Sequence, residues 1–306
     1  MCSGPPKEHR GQAAGRNYLT ETVLFREATF DTGKVVLNYA EGPAAGSPLV
    51  MLHGGTGRWQ LYSGMLAELA ERCHVYAPDL RGHGTSGWVP WGYSIRDYVE
   101  DIRAFLREVS GPAVLMGHSL GGIIAVATAK ACPDLVRALI VGDAPLDAAT
   151  WGQFLRNDRV KLAAWRALSG GAHPVEEIES LLGDAPEGSS TLREIFGEGS
   201  PIIHELAERL YLHDPDMLGM LIEDYDNVAA GYDMETLLPG ILCPVLLVQA
   251  DPSAGGALTD EEVQRALPLL ADPTHMRFSG MDHMLLYDPK GLPMVAVNAF
   301  LSQLSL

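Results

Sequence analysis

The chain has 306 residues, of which 47% are hydrophobic, and its formal net charge at pH 7 is −17. This length allows a large core, but no apolar run reaches the roughly 18 residues of a membrane helix, so we expect no membrane partner. Between residues 171 and 238, sixteen Asp and Glu stand against two Arg and no Lys. Because a nucleic-acid surface needs the opposite sign, we expect no nucleic-acid partner either.

Residues 1–21 are predicted to form a disordered tail, and they lack the apolar segment of a signal peptide. The four cysteines lie far apart in the sequence and form no CxxC pattern. This spacing is typical of isolated reduced thiols, so we expect a cytoplasmic protein. The sequence leaves open whether that protein is a monomer or a homodimer.

Short apolar runs then alternate with amphipathic stretches. The first, LFREATFDTG, predicts an antiparallel edge strand, and strands are predicted in KVVLNYAEG, PLVMLHGG, HVYAPDL, PAVLMG, VRALIVGD, CPVLLVQAD and THMRFSG. Several of these runs are apolar on consecutive residues, as in strands covered on both faces. Between them, SIRDYVEDIRAFLREV predicts a helix with Ser94 and Asp97 as a capping pair. This alternation predicts an α/β fold with an open, mostly parallel sheet.

The alternation stops after the strand VRALIVGD and returns at CPVLLVQAD. In between, the sequence is helical and contains no convincing strand. We therefore predict a helical lid at 146–238, inserted over the carboxyl edge of a core formed by 22–145 and 239–306.

The stretch MGHSLGG lies where a buried strand must turn abruptly into a buried helix. Such a turn strains the backbone at Ser119 and raises its hydroxyl beside a helix N-terminus, and it requires glycine at 117 and 121. A serine hydroxyl needs a base, and His283 in SGMDHMLLYDP follows the last predicted strand. The backbone N–H groups of Gly55, in LVMLHGGTG, and of Leu120 could stabilise an oxyanion.

Four motifs occur in order: HGG at 53–55, DLRGHGTS at 79–86, GHSLGG at 117–122 and GMDH at 280–283. With them the sequence resembles the α/β-hydrolase-fold serine hydrolases of the lid-bearing esterase, lactonase and C–C hydrolase type, over about 22–145 and 239–306. The resemblance implies a mostly parallel eight-stranded sheet flanked by helices, with a helical lid. It also implies Ser119 as nucleophile, His283 as general base, and Gly55 and Leu120 as oxyanion donors.

Two positions compete for the acid that orients the histidine. Asp251, at the end of CPVLLVQAD, is the preferred candidate, although the family's usual glycine and spacing are altered there. Asp143, after the strand VRALIVG, occupies the other position at which relatives place their acid. We interpret DLRGHGTS as a structural turn.

Candidates for the substrate pocket are weaker. Trp59 follows the oxyanion loop and either lines the pocket or joins the core, and Trp151 and Tyr232 are the candidates from the lid. No histidine pair has the spacing HxxxH or HExxH, so we expect neither a metal nor a cofactor.

We expect a small-molecule substrate, a small to medium carboxylic ester or lactone cleaved through an acyl-enzyme on Ser119. The alternatives are a C–C bond hydrolase acting on a ring-cleavage diketone and a non-catalytic ligand receptor on the same fold.

Overall fold

The computed structural model describes residues 17–20, 23–187, 189–288 and 291–304. Predictions for the other residues, including most of the tail, lie outside the described residues. The strands found in the described ranges are β1 (Asn17–Thr20), β2 (Val23–Asp31), β3 (Val36–Glu41), β4 (Ser47–Leu52), β5 (Cys73–Pro78), β6 (Ala113–His118), β7 (Val136–Gly142), β8 (Pro186–Glu187), β9 (Ser190–Thr191), β10 (Val245–Gln249) and β11 (Pro273–Arg277).

The α-helices of the same ranges fall into two sets, those of the core and those between β7 and β10. Those of the core are α1 (Ser63–Ala70), α2 (Ile95–Phe105), α3 (Leu120–Ala131), α12 (Asp260–Ala266) and α13 (Leu292–Gln303). Those between β7 and β10 are α4 (Ala148–Asn157), α5 (Arg159–Leu168), α6 (Val175–Gly183), α7 (Leu192–Phe196), α8 (Pro201–Tyr211), α9 (Pro215–Glu223), α10 (Tyr225–Val228) and α11 (Met234–Leu237). As predicted, α2 begins with a capping box between Ser94 and Asp97.

The main sheet has the spatial order β1-β2-β3-β5-β4-β6-β7-β10-β11. Pairing is parallel from β5 through β11 and antiparallel among β1, β2, β3 and β5. The predicted mostly parallel, eight-stranded sheet is confirmed, and β1 adds a ninth strand at its edge. Two expectations differ, since residues 17–20 of the predicted tail form a strand and β2 is not itself the edge.

The sheet is covered on both faces because successive residues of its central strands are apolar. In β4, Val50 and Leu52 pack on one face in a cluster with residues of α2 and α3. Leu49 and Met51 pack on the other face with residues of α1 and α13. Alternate side chains of a strand point to opposite faces, so a continuous apolar run buries both.

The segment between β7 and β10 is helical except for the short β8–β9 hairpin, which the helical pattern did not predict. This segment contacts loops that follow the carboxyl ends of the strands. Its Asp214 N–H donates to Gly82 O at 2.8 Å, and the Tyr232 hydroxyl donates to Pro145 O at 2.9 Å. No helix in the described ranges is both long enough and apolar enough to cross a membrane.

Candidate active site

Ser119 lies between β6 and α3 in the abrupt turn that the sequence predicts. Its backbone has φ 52 and ψ −121, a left-handed conformation that a residue with a side chain rarely adopts. Two hydrogen bonds stabilise this conformation: its N–H donates to Gly142 O at 3.0 Å, and its carbonyl accepts from Ile123 N–H at 3.0 Å. The half-buried hydroxyl is thereby presented at the carboxyl edge of the sheet, at the N-terminus of α3.

The two glycines of this turn are required by close backbone approach. A Cβ at position 117 would lie 2.2 Å from Gly121 O, and a Cβ at position 121 would lie 2.0 Å from Leu52 O. Both distances are far below van der Waals contact, so any larger residue would displace β6, α3 or β4. The motif therefore encodes the packing that exposes Ser119.

His283 joins the serine to a carboxylate. Its Nε2 lies 3.0 Å from Ser119 Oγ, and its Nδ1 lies 2.6 Å from Asp143 Oδ2. The imidazole is 20% exposed, whereas the Asp143 side chain is fully buried. Because a carboxylate only accepts hydrogen bonds, Nδ1 carries the proton and Nε2 is free to accept the proton of the serine hydroxyl.

The prediction that Asp251 is the carboxylate beside His283 is wrong, and the alternative, Asp143, occupies that place. The sheet order explains this outcome. Asp143 follows β7, which is adjacent to β6, and the pairing of Gly142 with His118 puts Asp143 level with Ser119. Asp251 follows β10, one strand farther away.

The loop after β10 surrounds the Asp143 carboxylate with backbone donors. Oδ1 accepts from Ala250 N–H at 3.0 Å and from Leu258 N–H at 3.3 Å. Oδ2 accepts from Ala257 N–H at 2.7 Å, in addition to His283. The loop that would have supplied the predicted acid therefore fixes the orientation of the observed one.

Asp251 instead stabilises the loop that carries His283. Its Oδ2 accepts from Gly280 N–H at 2.8 Å, and its own N–H donates to Met281 O at 2.9 Å. Its Oδ1 accepts from the N–H and the hydroxyl of Ser253 at 3.0 and 2.7 Å. The bonds from Gly280 and Ser253 hold the pKa of the Asp251 carboxyl well below its usual range.

The loop after β4 lies directly against the serine. A Cβ at Gly54 would lie 3.3 Å from Ser119 Cβ, whereas a Cβ at Gly55 would meet nothing within 4 Å. Among the described residues, no hydrogen bond engages Gly55 N–H. Leu120 is the first residue of α3, where a backbone N–H has no partner within the helix. Both predicted oxyanion donors are thus free to bind a ligand atom.

Neighbouring contacts position this loop. His53 Nδ1–H donates to Gly54 O at 2.8 Å, and His53 Nε2 accepts from Leu80 N–H at 3.0 Å. Gly54 N–H donates to the hydroxyl oxygen of Tyr287 at 3.1 Å. Burial lowers the pKa of His53 to about 3, which keeps this imidazole neutral.

Residues 49–292 match the Alpha/beta hydrolase family. The chain belongs to this family. Among curated relatives, 2-(acetamidomethylene)succinate hydrolase of Mesorhizobium japonicum is 36% identical over 114 residues, 37% of this chain and 41% of that protein. Lipase LipV of Mycobacterium tuberculosis is 38% identical over 104 residues, 33% of this chain and 39% of that protein. The matches therefore span about two fifths of these relatives.

A solved esterase from Thermogutta terrifontis shares the fold, with a TM-score of 0.68 and 20% identity over 92% of this chain and 99% of that chain. Both named relatives are hydrolases.

Helix α4 contacts the histidine through a residue that the sequence analysis did not single out. The half-buried ring of Phe154, on α4, lies 5.4 Å from the His283 ring, measured between centroids. Phe154 follows Trp151 by three residues, so helical periodicity alone put it on a neighbouring part of the same helix face. What the sequence could not show is which part of that face meets His283.

The two lid residues predicted for the pocket are buried in packing. Trp151 makes edge-to-face contacts with Tyr225 and Tyr232, at 5.3 and 6.4 Å. Tyr232 donates its hydroxyl to Pro145 O. A contribution of Trp151 and Tyr232 to the substrate pocket stays a prediction.

Trp59 joins the core, one of the two alternatives that the sequence left open. Its side chain is 1% exposed and packs in the cluster on the α1–α13 face of the sheet, opposite to the face that the lid residues join. The indole N–H donates to Glu27 Oε1 at 2.8 Å, and the backbone N–H donates to Asp79 Oδ1 at 2.8 Å.

The motif DLRGHGTS forms a buried turn. The Asp79 carboxylate accepts from Trp59 N–H, from Thr85 N–H at 3.1 Å and from the Asn38 amide at 3.0 Å. Burial raises the pKa of Asp79 to about 6. Arg81 makes a bidentate ion pair with Asp101 at 2.6 and 2.7 Å.

In the described part of the chain, no group of three His, Cys, Asp or Glu side chains is arranged to hold a metal ion.

Proposed function

We propose that this protein is a serine hydrolase that cleaves a small to medium carboxylic ester or lactone through an acyl-enzyme on Ser119. The observation that carries the proposal is the hydrogen-bonded chain from Ser119 Oγ to His283 Nε2 and from His283 Nδ1 to Asp143 Oδ2. A nucleophile, a base and an orienting carboxylate in this sequence form the arrangement that activates a serine hydroxyl. The relatives named as a hydrolase and a lipase agree with this class.

In the proposed mechanism, Ser119 Oγ attacks the carbonyl carbon while its proton passes to His283 Nε2. Asp143 stabilises the resulting imidazolium through the Nδ1–H bond. The backbone N–H groups of Gly55 and Leu120 donate to the oxyanion of the tetrahedral intermediate. His283 then protonates the leaving oxygen, which departs as an alcohol or, from a lactone, stays attached to the acyl chain.

The acyl-enzyme is hydrolysed by the same residues. His283 removes a proton from water, the hydroxide attacks the acyl carbon, and the bond to Ser119 Oγ breaks as Oγ takes the proton back from His283. The carboxylic acid leaves and loses its remaining proton to solvent. The strained backbone of Ser119 supports this role, because strain of about 1–3 kcal/mol persists at positions where a reactive geometry is held by surrounding structure. The lid, through Phe154, restricts the space beside the imidazole.

The test begins with a fluorophosphonate probe, which labels only an activated serine. We expect one equivalent of label on the wild-type chain, none on Ser119→Ala, and normal labelling of Ser302→Ala, whose hydroxyl is exposed on α13. A series of chromogenic esters of increasing acyl length, run beside lactones, then measures kcat/KM.

Two results would replace the proposal with an alternative. A folded wild-type chain that takes no label would favour a ligand receptor on the hydrolase fold. A labelled chain that turns over no ester or lactone but cleaves a ring-cleavage diketone would favour a C–C bond hydrolase.

A further inference from the structure

His118, the residue before the serine, makes a contact that the proposed mechanism does not use. Its Nε2 lies 2.6 Å from the backbone carbonyl oxygen of His283. His118 is 2% exposed, and its ring contacts two other rings. The His283 ring is 4.6 Å away and the Tyr287 ring 4.7 Å away, measured between centroids.

The hydrogen bond determines which nitrogen of His118 carries the proton. A carbonyl oxygen only accepts, so Nε2 must donate and Nδ1 must be bare. Nδ1 has no hydrogen-bond partner among the described residues. Burial, together with the nearby His283, lowers the pKa of His118 to about 3, so the ring stays neutral near pH 7.

This bond connects the end of β6, next to Ser119, to the loop that carries His283. A reaction at Ser119 depends on the distance in space between these two segments. The serine follows β6 directly, whereas His283 comes from a loop beyond β11. The same loop supplies Tyr287, whose hydroxyl accepts from Gly54 N–H, next to Gly55. His118 thus contacts both His283 and Tyr287. Of these two residues, His283 meets Ser119, and Tyr287 meets the loop after β4 that carries Gly55.

We propose that His118 is a positioning residue that, by donating a hydrogen bond to the backbone carbonyl of His283, holds the imidazole of His283 within reach of both Ser119 and Asp143. It touches neither the substrate nor the transferred proton. Its effect is on the two distances, 3.0 and 2.6 Å, that join His283 to its partners. Since a misplacement of about 1 Å can cost about 100-fold in rate, one backbone bond suffices for a large effect.

A pair of amide substitutions separates positioning from packing. The amide nitrogen of glutamine stands as many bonds from Cα as imidazole Nε2 does, whereas that of asparagine stands as many as Nδ1. His118→Gln can therefore restore the donor to the carbonyl, and His118→Asn cannot. His118→Phe keeps the ring packing without any donor, and His74→Phe, at the amino end of β5, serves as a ring-matched control.

The measured quantity is the rate constant of fluorophosphonate labelling, with the midpoint of urea unfolding recorded for each variant. We expect His118→Asn and His118→Phe to label about 10 to 100 times more slowly than wild type, while His118→Gln and His74→Phe stay within about threefold. The proton NMR resonance of the His283 Nδ1–H bond should persist far downfield in wild type and His118→Gln, and shift or broaden in the other two His118 variants.

The inference rests on the proposed function, and the two can fail separately. Absence of label on the wild-type chain overturns the function itself. If His118→Phe is labelled as fast as the wild type, only the positioning role is overturned. The same holds if the labelling rate constant falls equally in His118→Gln and His118→Asn. If the variants do not fold, nitrogen-15 spectra of the wild type decide, because a proton found on His118 Nδ1 rather than Nε2 contradicts the bond.

Discussion

Replacing Asp143 by asparagine is the most direct test of the carboxylate that the structure puts beside His283. The change keeps the size of the side chain but converts one acceptor oxygen into an NH₂ donor. Each carboxylate oxygen accepts two hydrogen bonds. Oδ1 accepts from the N–H groups of Ala250 and Leu258, and Oδ2 accepts from Ala257 N–H and His283 Nδ1–H. An asparagine can satisfy only one of these two sides.

The two orientations of the asparagine have different costs. With its NH₂ on the Oδ1 side, two buried N–H groups, those of Ala250 and Leu258, lose their acceptor. With its NH₂ on the Oδ2 side, only Ala257 N–H is left without an acceptor, provided that His283 moves its proton from Nδ1 to Nε2. At about 1–3 kcal/mol for each unsatisfied buried donor, the second orientation is favoured.

That orientation leaves the imidazole in the wrong tautomer, because a protonated Nε2 cannot accept the serine proton. We expect kcat to fall by about 10⁴-fold, equivalent to about 5 kcal/mol, the size of loss that this change causes in a serine triad. The free energy of unfolding should fall by only about 1–3 kcal/mol. Activity is therefore lost in a chain that remains folded.

The assay compares ester hydrolysis and urea unfolding for Asp143→Asn and for the matched control Asp251→Asn. Asp251 lies at the end of the next strand and contacts the histidine loop rather than the imidazole, so we expect its turnover to stay within about tenfold of wild type. If Asp251→Asn reduced turnover more than Asp143→Asn did, the assignment of the acid from the geometry would be refuted.

Three further outcomes are expected. Gly121→Ala should lower the free energy of unfolding by about 1–3 kcal/mol or more, because its Cβ would lie 2.0 Å from a backbone oxygen of β4; an unchanged urea midpoint would contradict this packing. Phe154→Ala should favour longer acyl chains, raising their relative kcat/KM by about tenfold, and an unaltered chain-length profile would show that the ring does not border the substrate. Burial lowers the pKa of His53, His83 and His118 from 6.5 to about 3. Because these folded-state pKa values are depressed, the unfolded chain binds more protons below pH 6.5, and the stability present above that pH is lost as pH falls toward 3. Urea unfolding should show a loss of about 2 kcal/mol per histidine from pH 7 to pH 5, whereas equal stabilities would disprove neutral burial.

The serine and the histidine could be located from the sequence because local rules determine their positions. Between β6 and α3 the backbones approach so closely that only glycine fits at 117 and 121. These two glycines lie within one short motif around Ser119, so the motif can be recognised from the sequence. The motif GMDH places His283 in a loop just after the last strand. The alternation of apolar runs determined the sheet in the same way, since each strand carries its own burial pattern.

The acid and the pocket depend on contacts between segments far apart in the chain. Asp143 reaches His283 because Gly142 pairs with both His118 and Val248, and no local pattern encodes this pairing. Likewise, Trp59 and Phe154 are both aromatic residues on helical turns, but Trp59 packs in the core and Phe154 lies next to the His283 imidazole. The direction in which each turn packs decided between them.

Ser119 and Asp143 follow two neighbouring strands, so the hydrogen-bond ladder of β6 and β7 sets the distance between them. One inserted residue in β7 would turn Asp143 toward the opposite side of the sheet. Variation in helices α4 to α11 carries no such penalty, because these helices contribute neither of these two side chains. Exchange of these helices would therefore leave the spacing of Ser119 and Asp143 unchanged, because that spacing is set by the sheet.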